Sequence, residues 1–260
     1  MAKDQTVLFH STVFGPIHSR RLGTSLGINL LPDDGKVCTF DCVYCEAGYN
    51  AQGTGTTGLP DTSRVARDLE AKLREMKEKG ETLDVITFSG NGEPTLHPHF
   101  GEVVDIVNSL RDRYFPEART SVLTNSTRIF DPGVAEALDK VDNNILKLDS
   151  AIEPTMRLID NPVQPSFTVE SLVEGLRRFA GKGIIQTMFL RGEHSGRRID
   201  NTTPEEVDAL IRAYKEICPR GVMIYSLDRS TPEERLEKVE RPELEEIATR
   251  IHAAGIEVML

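Results

Sequence analysis

Short apolar runs alternate with longer amphipathic stretches from about residue 25 onward. Six of the runs are almost continuously apolar, which is typical of strands that are buried on both faces. They are SLGINLL (25–31), DVITFSG (84–90), TSVLTNS (120–126), NILKLDS (144–150), IIQTMFL (184–190) and GVMIYSL (221–227), and a further run, IEVML, ends the chain. This pattern predicts at least six buried strands.

Between these runs, apolar residues recur at spacings of three and four, which predicts amphipathic helices. The predicted buried stripes are Val65–Leu69–Leu73–Met76, Phe100–Val103–Val107–Leu110, Val169–Leu172–Leu176–Phe179, Val207–Leu210–Ile211–Tyr214–Ile217 and, after Pro242, Leu244–Ile247–Ile251. The start of the fourth helix is marked in detail by Thr203 as N-cap, Pro204 in the first turn and Glu206 to complete a capping box. Repeated strand–helix order predicts an α/β fold with a parallel sheet.

The number of repeats favours a partial (β/α)6 TIM-like barrel of parallel strands with outer helices. A full eightfold barrel typically takes about 250 residues for its repeats alone. An open doubly wound sheet is the alternative. We expect one domain over residues 1–260, with residues 1–24 as an N-terminal extension that packs on the barrel. The Gly- and Thr-rich segment 46–61 and the polar segment 191–203 are expected as loops at the carboxyl ends of strands, where parallel barrels build their sites.

Composition and charge narrow the classes of function. Apolar residues make up 38% of the chain and charged residues 28%, as in ordinary globular proteins. We see neither a secretory signal nor an apolar run long enough to span a membrane, so we expect a cytoplasmic protein. A net charge of −10 argues against extended nucleic-acid binding, because phosphate contacts are made by Lys and Arg.

Three of the four cysteines, Cys38, Cys42 and Cys45, fall within eight residues in the spacing C-x3-C-x2-C. A disulfide framework would spread its cysteines through the chain. Iron–sulfur clusters usually take a cysteine on every iron, so three thiolates on one loop fit a cubane with one iron open to another ligand. The alternatives are a zinc site, which would need Cys218 or a distant His as a fourth ligand, and a non-catalytic iron–sulfur electron carrier.

The segment CTFDCVYC, with an aromatic residue before the last cysteine, resembles the motif of the radical S-adenosylmethionine (SAM) superfamily. Other segments look like the branch that includes the wyosine-type tRNA-modifying enzymes. These are FGPIHSRRLGTSLGINLLP, FSGNGEPTLHP (88–98), LTNS, KLDS and SLDRSTPEERL. The resemblance implies an enzyme that reductively cleaves SAM at a [4Fe–4S] cluster on the three cysteines and abstracts hydrogen with the resulting 5′-deoxyadenosyl radical. It also implies an external one-electron reductant of the flavodoxin or ferredoxin type.

The resemblance further implies which residues contact SAM. They are Tyr44, Gly90, Asn91, Gly92, Glu93, Asn125, Ser126, Lys147 and Asp149. Lys147 and Asp149 lie two residues apart along a strand and therefore face the same side, which we expect to be the inside of the barrel. A buried Lys–Asp pair is costly unless it serves a ligand or a network, and a purely structural ion pair is the alternative. For residues 90–94 the alternative is an ordinary tight turn.

The substrate is open, and no residue is assigned a catalytic role. Candidate substrate contacts are Arg20, Arg21, Gln186, Arg191, Tyr225 and Arg229. Arginine forks match carboxylates and phosphates, although surface ion pairing is an equally simple explanation. We expect a small anionic molecule or a single protein or RNA segment. Wyosine-like tRNA modification and glycyl-radical activation of a protein stay as alternatives, but wyosine-type enzymes carry further upstream cysteines and none precedes Cys38.

Overall fold

Parallel strands dominate the computed structural model, which describes residues 7–19, 22–229 and 231–260. The strands in chain order are β1 (Val13–Ser19), β2 (Gly23–Ile28), β3 (Val85–Phe88), β4 (Arg119–Thr124), β5 (Asn143–Lys147), β6 (Ile184–Met188), β7 (Leu190–His194), β8 (Arg197–Asp200), β9 (Gly221–Tyr225), β10 (Leu236–Lys238) and β11 (Val258–Met259). The main sheet has the order β1-β2-β3-β4-β5-β6-β9-β11, and all its pairs are parallel except β1 with β2. This order never reverses, whereas a doubly wound sheet reverses at a switch point. The predicted partial TIM-like barrel is therefore confirmed.

Seven α-helices are described. They are α1 (Thr62–Glu78), α2 (Phe100–Tyr114), α3 (Pro132–Asp139), α4 (Glu153–Ile159), α5 (Val169–Leu176), α6 (Pro204–Ile217) and α7 (Arg241–Ala253). The five predicted helices form, and the predicted stripe of α1 is completely buried. Helices α3 and α4 were not predicted because they are only about two turns long and show too few apolar repeats.

The predicted capping box at α6 is wrong in one half. The Thr203 hydroxyl accepts a hydrogen bond from the backbone N–H of Glu206 at 3.3 Å, as expected. The Glu206 carboxylate, however, accepts from the Ser150 hydroxyl at 2.6 Å and does not return to the N-cap. A buried hydroxyl within reach competes for the carboxylate. A reciprocal box forms instead at the start of α5, between Thr168 and Ser171.

The sequence suggested that segment 191–203 is an irregular loop, and this prediction is wrong for most of the segment. Strands β7 and β8 form an antiparallel hairpin, and β10 pairs with β7 to complete a small second sheet. Ser195 and Gly196 make the tight turn with positive φ angles of 51° and 74°. The hairpin is half-exposed along most of its length, so its strands carry polar residues and lack the apolar runs by which the buried strands were identified.

The two faces of the main sheet have different surroundings. Along β5, β6 and β9, one set of alternate residues packs against the helices in the large core. The other set includes Ile145, Ile184 and Met223, which form a separate apolar cluster on the concave face. Lys147 and Gln186 follow at the carboxyl ends of the same rows and are paired in register. The barrel thus has an apolar floor below a polar mouth.

The N-terminal segment packs against the first strand and the loops above it. Strand β1 pairs with β2, and the ring of Phe9 stacks on that of Phe14 with centroids 3.7 Å apart. The N–H of Val7 donates to the carbonyl of Glu46 at 2.8 Å. The single-domain organisation stays a prediction. None of the helices in the described ranges has the length and apolar character required to cross a bilayer.

Candidate active site

The loop that follows β2 carries the three clustered cysteines, and we call residues 36–50 the cysteine loop. Its backbone is fixed by internal turns, in which the N–H of Cys45 donates to the carbonyl of Cys42 at 3.1 Å. It is also fixed to α4, because the N–H of Val43 donates to the carbonyl of Ile159 at 3.0 Å. Cys42 is buried, Cys38 and Cys45 are half-buried, and Cys218 is exposed at the end of α6. The structure therefore brings the three predicted ligands onto one rigid loop.

Burial raises the pKa of two of these thiols. Burial, with a contribution from Glu93, raises the pKa of Cys38 to about 12. Burial, with a contribution from Asp160, raises the pKa of Cys42 well above its ordinary range. Such thiols keep their protons until a metal displaces them. In the described ranges, no three His, Cys, Asp or Glu side chains surround one common metal position. The two kinds of site differ in this respect, because zinc ligands converge on one ion whereas cubane thiolates each bind a different iron.

The Gly90–Glu93 turn after β3 is joined to the cysteine loop by a short parallel bridge. The N–H of Val37 donates to the carbonyl of Asn91 at 3.0 Å, and the N–H of Glu93 donates to the carbonyl of Val37 at 3.0 Å. Gly92 has a φ of 131°, and a Cβ there would lie 1.9 Å from the Val37 carbonyl oxygen. Only glycine allows this approach. The bridge holds the turn directly beside the first cysteine.

Glu93 and Asn125 connect this turn to the end of β4. The buried Glu93 carboxylate accepts hydrogen bonds from the Thr95 and Thr124 hydroxyls at 2.6 and 2.7 Å and from the backbone N–H of Asn125 at 2.6 Å. Burial raises the pKa of Glu93, and the hydrogen bonds offset only part of that shift. The Asn125 amide in turn donates to the Sγ of Cys38 at 3.5 Å. The chain of contacts aligns the predicted SAM residues with the cysteine loop.

Asn91 and Ser126 differ in how their polar groups are used. The Asn91 amide donates to the carbonyls of Pro32 and Phe9 at 2.8 and 3.0 Å, and its oxygen accepts from the N–H of Phe9 at 2.9 Å. Its side chain is thus committed to joining Phe9 of the N-terminal segment to Pro32 after β2. Ser126 is also buried, with a φ of 68°, but its hydroxyl has no hydrogen-bond partner. A buried hydroxyl without a partner is costly and marks a position that a ligand can satisfy.

Tyr44, Lys147 and Asp149 form one buried network. The Lys147 ammonium lies 3.1 Å from the Asp149 carboxylate and 4.8 Å from the centre of the Tyr44 ring. The Tyr44 hydroxyl donates a hydrogen bond to the Asp149 carboxylate and accepts one from the Lys147 ammonium. Burial opposes the charge of Lys147, but Asp149 and the neighbouring Tyr225, Cys42 and Asp160 outweigh it and raise its pKa. Lys147 and Asp149 are thus paired in one buried network with Tyr44.

Asp160 is a polar residue of the site that the sequence did not reveal. It lies at the end of α4 and is only 1% exposed to solvent. Its carboxylate accepts a weak hydrogen bond from the Cys42 thiol at 3.7 Å. Burial and the nearby Asp149 raise its pKa well above the ordinary value. Because α4 itself was not predicted, no pattern indicated that its last turn meets the cysteine loop.

The predicted substrate residues are less concentrated. Tyr225 and Arg229 line a cavity of about 300 Å³ between the cysteine loop and α7, together with Glu46, which accepts from Arg229 at 2.6 Å. Gln186 lies on the concave face and contacts the Met223 sulfur at 3.8 Å. The Arg191 guanidinium lines a different cavity and pairs with Glu243 of α7 at 3.0 Å. Arg20 and Arg21 lie outside the described residues.

Comparison with known proteins identifies the family. The sequence profile of the radical SAM superfamily matches residues 34–194. A UPF0026 protein of Helicobacter pylori is 29% identical over 69% of this chain and 56% of its own length. A Brachyspira hyodysenteriae protein named GTPase Obg is 28% identical over 94% of this chain and 34% of its own length. The chain thus spans between a third and just over half of these curated relatives.

Solved structures with the same fold point in the same direction. A structure of TYW1 with a lysine–pyruvate adduct bound matches with a TM-score of 0.62 at 14% identity, over 89% of this chain and 74% of that one. Streptococcus suis SuiB bound to S-adenosylmethionine also matches with a TM-score of 0.62, at 16% identity, over 89% of this chain and 49% of that one. At such identities the likeness establishes the fold. Together with the match over residues 34–194, it shows that the chain belongs to the radical SAM superfamily, whose enzymes bind a [4Fe–4S] cluster and SAM and cleave SAM reductively.

Proposed function

We propose that Cys38, Cys42 and Cys45 hold a [4Fe–4S] cluster and that SAM binds between this cluster and the Gly90–Glu93 turn. When bound, the cluster and SAM would supply a 5′-deoxyadenosyl radical through one-electron cleavage of SAM that releases methionine, and this radical would take a hydrogen atom from a substrate at the barrel mouth. The observation that carries the proposal is the backbone bridge between Val37 and Gly92, because it fixes the turn beside the first cysteine. The buried Glu93 carboxylate accepts from the N–H of Asn125, and the Asn125 amide reaches the sulfur of Cys38, so both residues lie beside the proposed cluster position.

The residues around this position supply complementary polar groups for SAM. The Gly90–Glu93 turn and the Asn125 side chain lie on one side, next to the cysteine loop. The free hydroxyl of Ser126 offers a donor or acceptor. Asn91 acts through the shape of the turn, since its amide is already bonded to the N-terminal segment.

The Tyr44–Lys147–Asp149 network supplies charge on the other side. A buried ammonium beside a carboxylate is costly by itself, so a zwitterionic ligand that uses both is a physical reason to keep the pair. Lys147 suits a ligand carboxylate, and Asp149 suits ribose hydroxyls or an ammonium. Tyr44 links the pair to the cysteine loop and presents its ring beside the ammonium. A purely structural pair would show no change in SAM affinity when it is neutralised.

The substrate proposal is a small anionic molecule or a single anionic segment of a protein or RNA. The cavity beside the cysteine loop has a volume of about 300 Å³, at the lower end of the range for ligand sites. Its lining includes the cations Arg229, Lys238 and Arg241 and the hydroxyls of Tyr225 and Ser226, and Arg229 and Lys238 pair there with the acids Glu46 and Asp228. Wyosine-like modification draws on the fold shared with TYW1 and is the second candidate.

The chemistry also requires an electron donor, and we propose a flavodoxin- or ferredoxin-like partner.

The test of the proposed cluster and SAM cleavage is anaerobic reconstitution of the chain, followed by iron counting and by measurement of 5′-deoxyadenosine after reduction with dithionite. We expect about four irons per chain and SAM-dependent formation of 5′-deoxyadenosine.

Single cysteine variants provide the controls for this test. Cys38→Ala, Cys42→Ala or Cys45→Ala should abolish both the cluster and 5′-deoxyadenosine. Cys218→Ala should retain both, because Cys218 is exposed at the C-terminal end of α6, outside the cysteine loop. Equal loss of the cluster in Cys218→Ala would replace the open-iron site with a closed four-cysteine site and overturn the proposal.

A further inference from the structure

Lys36 is a buried cation enclosed by the cysteine loop, two residues before the first cysteine. Only 1% of its side chain is exposed. Its ammonium donates to the carbonyl of Gly48 at 2.7 Å and lies 3.4 Å from the Asp41 carboxylate. Because Gly48 follows the last cysteine, this bond crosses the whole loop from one end to the other. The ammonium is therefore held inside the turn that carries the three thiols.

The charge of this ammonium is only partly compensated within the protein. A carbonyl neutralises no charge, and the Asp41 contact is long for an ion pair, with 21% of the Asp41 side chain open to solvent. The side chains of Cys38, Cys42 and Cys45 lie close enough to this ammonium to interact with its charge. A lysine in such a place is costly unless a negatively charged group lies near it. Three metal-bound thiolates are such a group.

We propose that Lys36 is a positioning residue that sets the reduction potential of the cluster, by holding a fixed positive charge inside the cysteine loop. This inference rests on the proposed cluster ligands. A cubane with cysteine thiolates carries net negative charge, and the electron from the external donor adds one more. A nearby cation in a region of low dielectric constant favours the reduced form. Asp41 opposes this effect from the other side of the ammonium.

Redox titration of the reconstituted holoprotein, followed by electron paramagnetic resonance, tests the inference. At the midpoint potential of the unmodified protein, Lys36→Met should lower the ratio of reduced to oxidised cluster about tenfold, which is a shift of about 59 mV for one electron. Lys36→Arg should restore most of the ratio because it restores the charge. Lys140→Met is the matched control, since Lys140 is an exposed lysine paired with Asp105 outside the site.

A second variant separates charge from loop support. Asp41→Asn keeps an oxygen for the N–H of Asn50, which it accepts at 2.7 Å, but removes the charge that opposes Lys36. It should raise the reduced-to-oxidised ratio, by less than Lys36→Met lowers it. An unchanged ratio in a fully loaded Lys36→Met protein overturns the inference. If Lys36→Met does not retain iron, an unchanged ratio in Asp41→Asn overturns it instead. If the unmodified protein binds no cluster, the proposed function fails, and this inference fails with it.

Discussion

The two halves of the barrel mouth use polar residues in opposite ways. In the half formed by the cysteine loop and the ends of β3, β4 and β5, polar side chains are buried and joined by hydrogen bonds. Glu93 is 2% exposed and Asp149 is completely buried. In the half formed by the ends of β6 and β9 and the small second sheet, charges are exposed. The side chains of Arg235 and its partner Glu193 are 56% and 43% exposed, and the same values hold for Arg229 and its partner Glu46, which lies at the exposed edge of the cysteine loop.

Under the proposed function, this difference would separate the cofactor side of the mouth from the substrate side. A buried polar group must find fixed partners, so the first half has one arrangement that suits one kind of ligand. Exposed ion pairs contribute little to stability and can exchange partners when a ligand arrives. We infer that the first half is specialised for SAM and the cluster. The second half leaves the substrate open, because its charges do not define a single geometry.

The largest effect that we predict from this comparison concerns Lys147. Lys147→Met leaves the buried Asp149 carboxylate without its ammonium partner. Loss of one partner of a buried pair should lower the free energy of unfolding by about 3–5 kcal/mol. Urea denaturation of the anaerobically purified protein, followed by circular dichroism, measures this change.

The matched control is Lys140→Met, which breaks an exposed pair with Asp105. Its cost should stay within about 1 kcal/mol. The double variant Lys147→Met with Asp149→Asn should recover part of the loss, because no uncompensated charge is left. Equal costs for Lys147→Met and Lys140→Met would contradict the distinction between the two halves.

A smaller, pH-dependent effect is predicted at Glu93. Glu93→Gln places an amide group against donors that include the N–H of Asn125 and should cost about 1–3 kcal/mol. Burial raises the folded-state pKa of Glu93. Its contribution to stability is therefore complete below the unfolded pKa of about 4.3 and is lost as the pH rises through the folded value. Unfolding free energies measured across this pH range should show the two proteins converging as the pH rises, and a gap that widens would contradict the shift.

Much of this organisation could be predicted from sequence, for reasons that particular residues show. The buried strands were visible because burial on both faces demands continuous apolar runs, as in β5 and β6. The pairing of Lys147 with Asp149 followed from the two-residue repeat of a strand. The cysteine loop was visible because thiol spacing is local. The family then supplied the cofactors, which no periodicity could have supplied.

The features that the sequence did not reveal depend on distant contacts. Asp160 enters the site only because α4 packs against the cysteine loop. Lys36 precedes the motif without any distinguishing pattern, and its burial comes from the fold of the loop around it. Glu206 has the right spacing for a capping box, but its carboxylate accepts a hydrogen bond from Ser150, which is far away in sequence. Local spacing identifies candidates, and tertiary contacts decide among them.

The smallest predicted effect concerns the exposed half of the mouth. Arg229→Gln breaks the exposed pair with Glu46 and should change the free energy of unfolding by less than about 1 kcal/mol.

With a net charge of −10, the chain should make few phosphate contacts, so bulk tRNA should bind weakly at physiological salt. With one or two phosphate contacts, the logarithm of the binding constant should fall with the logarithm of the salt concentration with a slope of about −1 to −2. Filter binding between about 50 and 200 mM salt measures this slope. A slope several times steeper, reduced by about one in Arg229→Gln, would mean that the exposed charges follow an RNA backbone and would restore the tRNA-modification function.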